Sequence, residues 1–208
     1  MRTRDTDKED IVKKMTIETV AKHGLDGFTI AKLAKACNIS VGTPYVYYKD
    51  KDDLIISIVL EEGKKMDEYM NRNFDPELSL EDGLRVQWRN RADYQIEYPY
   101  SGRFLDQIRS SAYQDQLLEM FTKQKGNFLS QFKKNVEHFV SNVIERKEMD
   151  AMPYEEYWCV AFAPLYSLLR FHQEGRSITG HPFQMTEEIL WSTFDRVIIA
   201  LKTADHKR

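Results

Sequence analysis

Residues 40–51 read SVGTPYVYYKDK, and the side-chain types in this run suggest a specific chemistry. Ser40, Thr43, Tyr45 and Tyr47 carry hydroxyls that can both donate and accept hydrogen bonds. Lys49 and Lys51 follow directly with two point charges. Gly42 has no Cβ, so the backbone there can approach a ligand closely. Hydroxyl and aromatic groups beside lysines suit a polyanion with polar planar edges, in which phosphates set the position and base edges carry the information. Upstream, Thr29 adds a further hydroxyl. From residue 22 to 49 four lysines (Lys22, Lys32, Lys35, Lys49) face one aspartate, Asp26. Such a local excess of charge matters more for a phosphate partner than the net charge of −3.

Presenting these groups requires short helices. Thr29 suits an N-cap, where its oxygen satisfies a first-turn N–H. Ile30, Leu33, Ala34 and Cys37 fall at helical spacing behind it. Asn38 tolerates the left-handed conformation that ends a helix. Ile39 plugs the angle to the next element, and Ser40 is placed to cap it. The spacing predicts a second helix over residues 41–48, with Tyr48 inside beside Val41 and Pro44, and Tyr45 and Tyr47 flanking that face. Pro44 falls at the end of its first turn, removing one helix hydrogen bond while keeping a compatible φ. Two short helices joined by a tight turn form a helix-turn-helix, whose second helix enters the DNA major groove.

Residues 11 to 58 resemble the N-terminal domain of the tetracycline-repressor (TetR) family. The resemblance rests on a threonine opening the second helix, the Gly42-Thr43-Pro44-Tyr45 run, and the Lys49-Asp50-Lys51-Asp52-Asp53-Leu54 sequence that follows. Pro44 departs from the aliphatic residue usual in that family, and Tyr47-Tyr48 departs from the commoner His-Phe pair. The resemblance implies an all-α fold of about nine helices, in which a three-helix DNA-binding domain (residues 1–50) precedes a larger helical ligand-binding and dimerisation domain (51–208). It also implies a homodimer and a small-molecule pocket. In this reading Thr29, Ser40, Lys49 and Lys51 position phosphates. Gly42, Thr43, Tyr45 and Tyr47 lie at the groove, Thr43 and Tyr45 on base edges or thymine methyls.

The rest of the chain reads as helices. Residues 1–7 are a charged, disordered arm. Val12, Met15, Thr16, Thr19 and Val20 line a first helix that ends near His23-Gly24. Asp50 caps a helix carrying Leu54, Ile55, Ile58 and Val59, then Met66, Tyr69 and Met70. Residues 71–79, with Pro76, are the clearest hinge. Helices follow over residues 80–98 and 100–110, then a long one over 113–149 that Gly126 bends. The richest apolar helix starts after Pro153 and contains Pro164, and the last spans residues 186–202. Part of these last two apolar helices completes the core, and part pairs with a second subunit. A dimer places two recognition helices about 34–36 Å apart on a palindromic operator.

For the pocket, Trp88, Phe104, Phe121, Phe128, Trp158, Phe162 and Tyr166 supply apolar walls, and Arg89 and Gln107 supply orienting groups. Cys37 and Cys159 read as reduced packing residues of a cytoplasmic protein. The charged start has no signal peptide, and no run approaches the about 20 apolar residues of a membrane span. The five histidines show no HExxH pair, and there is no GxSxG, GxxxxGK[ST] or GxGxxG. No enzyme, metal or cofactor is expected. The reading is a DNA-binding transcriptional regulator, a homodimeric repressor released from its operator by a small-molecule ligand. The alternative is a small-molecule-binding or interaction protein with an unused helix-turn-helix.

Overall fold

A computed structural model describes residues 3–123 and 130–202, with side chains placed for 7–117, 119 and 133–202. These residues form nine α-helices and one 3₁₀ turn, with two isolated β-bridges and no strand among them. The helices are α1 (Thr3–His23), α2 (Ile30–Ala36), α3 (Lys51–Met70), α4 (Leu80–Glu97), α5 (Pro99–Arg109), α6 (Tyr113–Lys123), α7 (Ser130–Glu145), α8 (Tyr154–Glu174) and α9 (Glu187–Leu201). The fold is all-α, as expected, but the nine are divided differently. The expected helix over 41–48 is a 3₁₀ turn, Pro44–Val46. The expected long helix over 113–149 is α6 and α7, and Gly126, with its expected bend, lies outside the described residues. The arm expected to be disordered is helical from Thr3.

The chain forms two compact units. The first comprises residues 1–66 and 98–128, the second 67–97 and 129–208. In the first unit Val12, Thr16 and Val20 turn inward from α1, at the positions the periodicity marks. Gly24 ends α1 with φ +73°, and its N–H reaches the Val20 carbonyl at 2.9 Å. The core adds Phe28, Leu33, Leu54, Ile55 and Ile58, closed by Phe104 and Ile108 of α5. Pro99 opens α5, where its missing N–H costs nothing.

In the second unit α4 is buried around most of its circumference. Its Trp88 is fully enclosed, donates its indole N–H to the Ala161 carbonyl at 2.8 Å, and packs edge-on against Phe194. Gly83 lets α7 come close: a Cβ there would lie 2.3 Å from the Phe139 ring. α8 runs through Pro164 and ends at Gly175, φ +68°. The expected hinge at 71–79 is held by α7. Asn142 donates to the Pro76 carbonyl at 3.1 Å, and Arg146 to the Leu78 carbonyl at 2.6 Å. Cys159 is exposed rather than packed, because the inward face of α8 is taken by Tyr157, Ala161, Phe162 and Leu165.

Candidate nucleic-acid interface

The site is assembled by local hydrogen bonds that the residue types require. The Thr29 hydroxyl oxygen accepts the Lys32 N–H at 3.2 Å and so caps α2. At the other end Asn38 takes φ +54°. The Ile39 N–H then bonds the Ala34 carbonyl at 3.0 Å, and the Asn38 N–H bonds the Lys35 carbonyl at 3.2 Å. This left-handed closure satisfies carbonyls that the short helix leaves open.

Beyond Ser40 the path differs from the expected helix. Pro44 has no N–H to offer the Ser40 carbonyl, and that carbonyl accepts the Thr43 N–H instead, at 3.0 Å. The Val46 N–H bonds the Thr43 carbonyl and the Tyr47 N–H the Pro44 carbonyl, both at 3.1 Å, which is the tighter 3₁₀ ladder. Ser40 makes no helix cap. Its hydroxyl instead lies 2.8 Å from that of Thr43.

The tighter turn changes which side chains face outward. Pro44 and Tyr48 are buried, as expected, and the Tyr48 hydroxyl donates to Glu9 at 3.3 Å. Burial, with the Glu9 charge beside it, pushes this phenol well above its ordinary pKa, so it stays a neutral anchor. Tyr47 is half-buried, edge-on to Tyr48. Tyr45 is 52% exposed, as its flanking position suggested. Val41, expected inside, is 51% exposed, because it lies in the turn that precedes Pro44 and not on a helix shared with Pro44 and Tyr48. Val46, 71% exposed, was not among the expected contacts, and a helical wheel drawn with 3.0 residues per turn would have singled it out. An outward surface of Val41, Gly42, Tyr45 and Val46 results, with Ser40 and Lys49 also exposed.

Where this segment meets α3, the Asp50 carboxylate accepts the Asp53 N–H and the Asp53 carboxylate accepts the Lys49 N–H, both at 2.9 Å. The reciprocal pair holds the chain entering α3. The Lys51 ammonium sits 5.7 Å from the centre of the Phe28 ring. Thr29, Ser40, Gly42, Thr43, Tyr45, Tyr47, Lys49 and Lys51 all fall within one compact unit.

The expected pocket residues are more scattered. Phe104 and Gln107 belong to the first unit, the former in its core and the latter exposed. Trp88 is core of the second unit, with its polar atom already bonded. Arg89 forms a two-pronged pair with Glu187, one contact at 2.9 Å, and meets Asp93 at 3.5 Å, so it orients no enclosed group. Phe162 is buried, Trp158 is partly exposed, and Trp158 stacks on Tyr166. The Phe121 and Phe128 side chains lie outside the described residues.

Sequence and fold comparisons point the same way. Residues 14–58 match the family described as bacterial regulatory proteins, tetR family. An HTH-type transcriptional regulator of Haemophilus influenzae is 29% identical over 90 residues, which is 43% of this chain and 48% of that protein. A fatty acid metabolism regulator protein of Bacillus subtilis is 34% identical over 56 residues, 27% of each chain. The matched stretches thus span about half of the first relative and about a quarter of the second. A crystal structure of a TetR family transcription regulator from Marinobacter aquaeolei superposes with TM-score 0.74 at 22% identity, covering 97% of this chain and 99% of the other. One from Haemophilus influenzae gives 0.70 at 20%, covering 97% and 100%. At these identities the two structures establish the shared fold. Residues 14–58 therefore match the N-terminal domain of the tetR family of bacterial regulatory proteins, and the chain shares the all-α fold of TetR family transcription regulators.

Proposed function

We propose that the chain acts as a homodimeric repressor, cytoplasmic, that leaves a palindromic operator when a small molecule binds. Residues 1–50 serve as the DNA-binding domain and 51–208 as the ligand-binding and dimerisation domain. The observation that carries this reading is the outward turn at residues 41–46. There Tyr45 and Val46 face outward while Pro44 and Tyr48 hold the turn from within. An isolated protein gains little from exposing a tyrosine and two valines together, whereas a groove edged with thymine methyls and base acceptors offers partners for both. Tyr45 and Thr43 read bases, and Val41 and Val46 extend the apolar contact. Gly42, with open space around its missing Cβ, admits the DNA backbone. Tyr47 borders the contact. Thr29, Ser40, Lys49 and Lys51 position phosphates, and the two chains pair through α8 and α9. Trp158, Phe162 and Tyr166 belong to the ligand site.

Lys51→Ala is expected to weaken binding to every DNA sequence alike and to reduce the slope of log K against log salt by about 0.9. Anisotropy titrations at several salt concentrations check this, and an unchanged slope removes Lys51 from the phosphate contacts.

Thr29 separates stability from recognition. Thr29→Ala is expected to cost about 1 kcal/mol of folding stability through the lost cap. Thr29→Asp keeps the cap but sets a negative charge beside a phosphate, so it should fold normally and bind DNA far more weakly. Urea melts and gel shifts on the pair check it. Undiminished DNA binding by Thr29→Asp would reduce Thr29 to a cap alone.

A further inference from the structure

The interior of the second unit contains polar groups that a purely structural core would not use. Gln87 and Tyr157 are fully buried and Arg91 nearly so. The Arg91 guanidinium donates to the Gln87 side-chain oxygen at 3.1 Å and to the Gln87 carbonyl at 3.2 Å. It also lies over the Phe162 ring, 3.9 Å from the ring centre. Tyr157 packs edge-on to the same Phe162, ring centres 6.0 Å apart. The phenol feels the Arg91 charge, which opposes the larger upward push that burial gives its pKa. These groups therefore share one locality. Among the described residues, the Gln87 amide nitrogen and the Tyr157 hydroxyl have no hydrogen-bond partner. A buried donor left unmatched costs free energy that a leucine or phenylalanine at the same position would not.

All three groups present donors: a guanidinium, a carboxamide N–H₂ and a phenolic O–H. Their common complement is a compact acceptor with negative charge, and a carboxylate has the several lone pairs such a set can fill. Around them the surroundings are aromatic and reach the surface. Trp158, 37% exposed, lies beside Phe162 with ring centres 6.3 Å apart and stacks on Tyr166 at 5.8 Å. We propose that Gln87, Arg91 and Tyr157 form the anion-binding end of a ligand site in the second unit, which takes a monocarboxylate carried on an apolar body. The inference rests on the ligand-responsive reading above and specifies the chemical class of that ligand.

The test uses the purified full-length protein and isothermal calorimetry with naphthoate and octanoate, each compared with its neutral counterpart, naphthamide and octanol. One acid or both should bind saturably, one per chain, and the neutral counterpart about tenfold or more weakly, the loss expected when a charge-assisted hydrogen bond is removed. Tyr157→Phe removes a single oxygen and Gln87→Met keeps the side-chain length, so both variants should fold even if Arg91→Met does not. Each should lower the acid's affinity several-fold, and Tyr157→Phe should do so with a melting temperature no lower than that of the parent. Equal binding of acid and neutral partner would overturn the proposal, as would no binding of either acid, the result if these donors hold only a bridging water. So would an unchanged affinity in Tyr157→Phe. A gel shift on the same preparation without any acid reads the regulator function separately. DNA binding without acid binding sinks this inference alone, and acid binding without DNA binding sinks the operator reading alone.

Discussion

Trp88→Ala should lower the stability of the folded chain by about 3–5 kcal/mol, the range for truncating a large aromatic in a closed core. The indole is fully buried, lies against Phe194 and spends its N–H on the Ala161 carbonyl. Removing it leaves a cavity whose walls, α4, α8 and α9, have little freedom to collapse. Trp88→Phe separates the two contributions. It retains most of the volume but leaves the Ala161 carbonyl without its indole donor, at a cost of about 1–3 kcal/mol. Urea melts followed by far-ultraviolet circular dichroism check both. A loss below about 1 kcal/mol in Trp88→Ala would mean that this side chain is a pocket wall rather than core.

Tyr45→Ala should weaken binding to the operator by about 1–3 kcal/mol, a loss on the scale of one base-pair mismatch. On random DNA the loss should be much smaller. The asymmetry follows from exposure: Tyr45 stands half outside the fold, makes no core contact of the kind Tyr48 makes, and has little to contribute to stability. Tyr48→Ala is the contrasting control, because its ring is core and its loss should act through folding. Competition gel shifts with operator and random duplexes measure the difference. Equal losses on both duplexes would make Tyr45 a general contact with no part in reading sequence.

The caps and turns of the tetR-like stretch were legible because their signals are local. Thr29 as cap, Asn38 as the left-handed stop and Asp50 ahead of α3 each act within about five residues of themselves. Such bonds need no knowledge of the rest of the chain. Pro44 was equally visible, but its consequence was underestimated. A missing N–H at residue 44 left the Ser40 carbonyl to Thr43, so a turn followed by a 3₁₀ turn stands where a helix was expected, with Val41 and Val46 both exposed. One lost hydrogen bond in a two-turn element is a large share of its ladder.

The interior of the second unit was much less legible. Leu84, Trp88 and Ala92 recur at helical spacing and are buried on α4, yet the helix buries Gln87 and Arg91 as well. Arginines on helices ordinarily face water, and no feature of residues 80–98 distinguishes Arg91 from Arg89. The distinction is made by partners distant in sequence. Glu187 holds Arg89 at the surface, while Phe162 covers Arg91 inside. Gly83 is a similar case: nothing near it in sequence shows that Phe139 occupies the space where its side chain would be.

The sequence by itself determined that this protein is helical, where most of its helices begin and end, and where the short tetR-like turn lies, because caps, turns and apolar periodicity act between near neighbours along the chain. Tertiary structure alone decided which aromatic and charged side chains became core, surface pair or buried donor cluster. Those outcomes depend on what packs against each helix from 50 or more residues away, and a one-dimensional pattern does not carry that information.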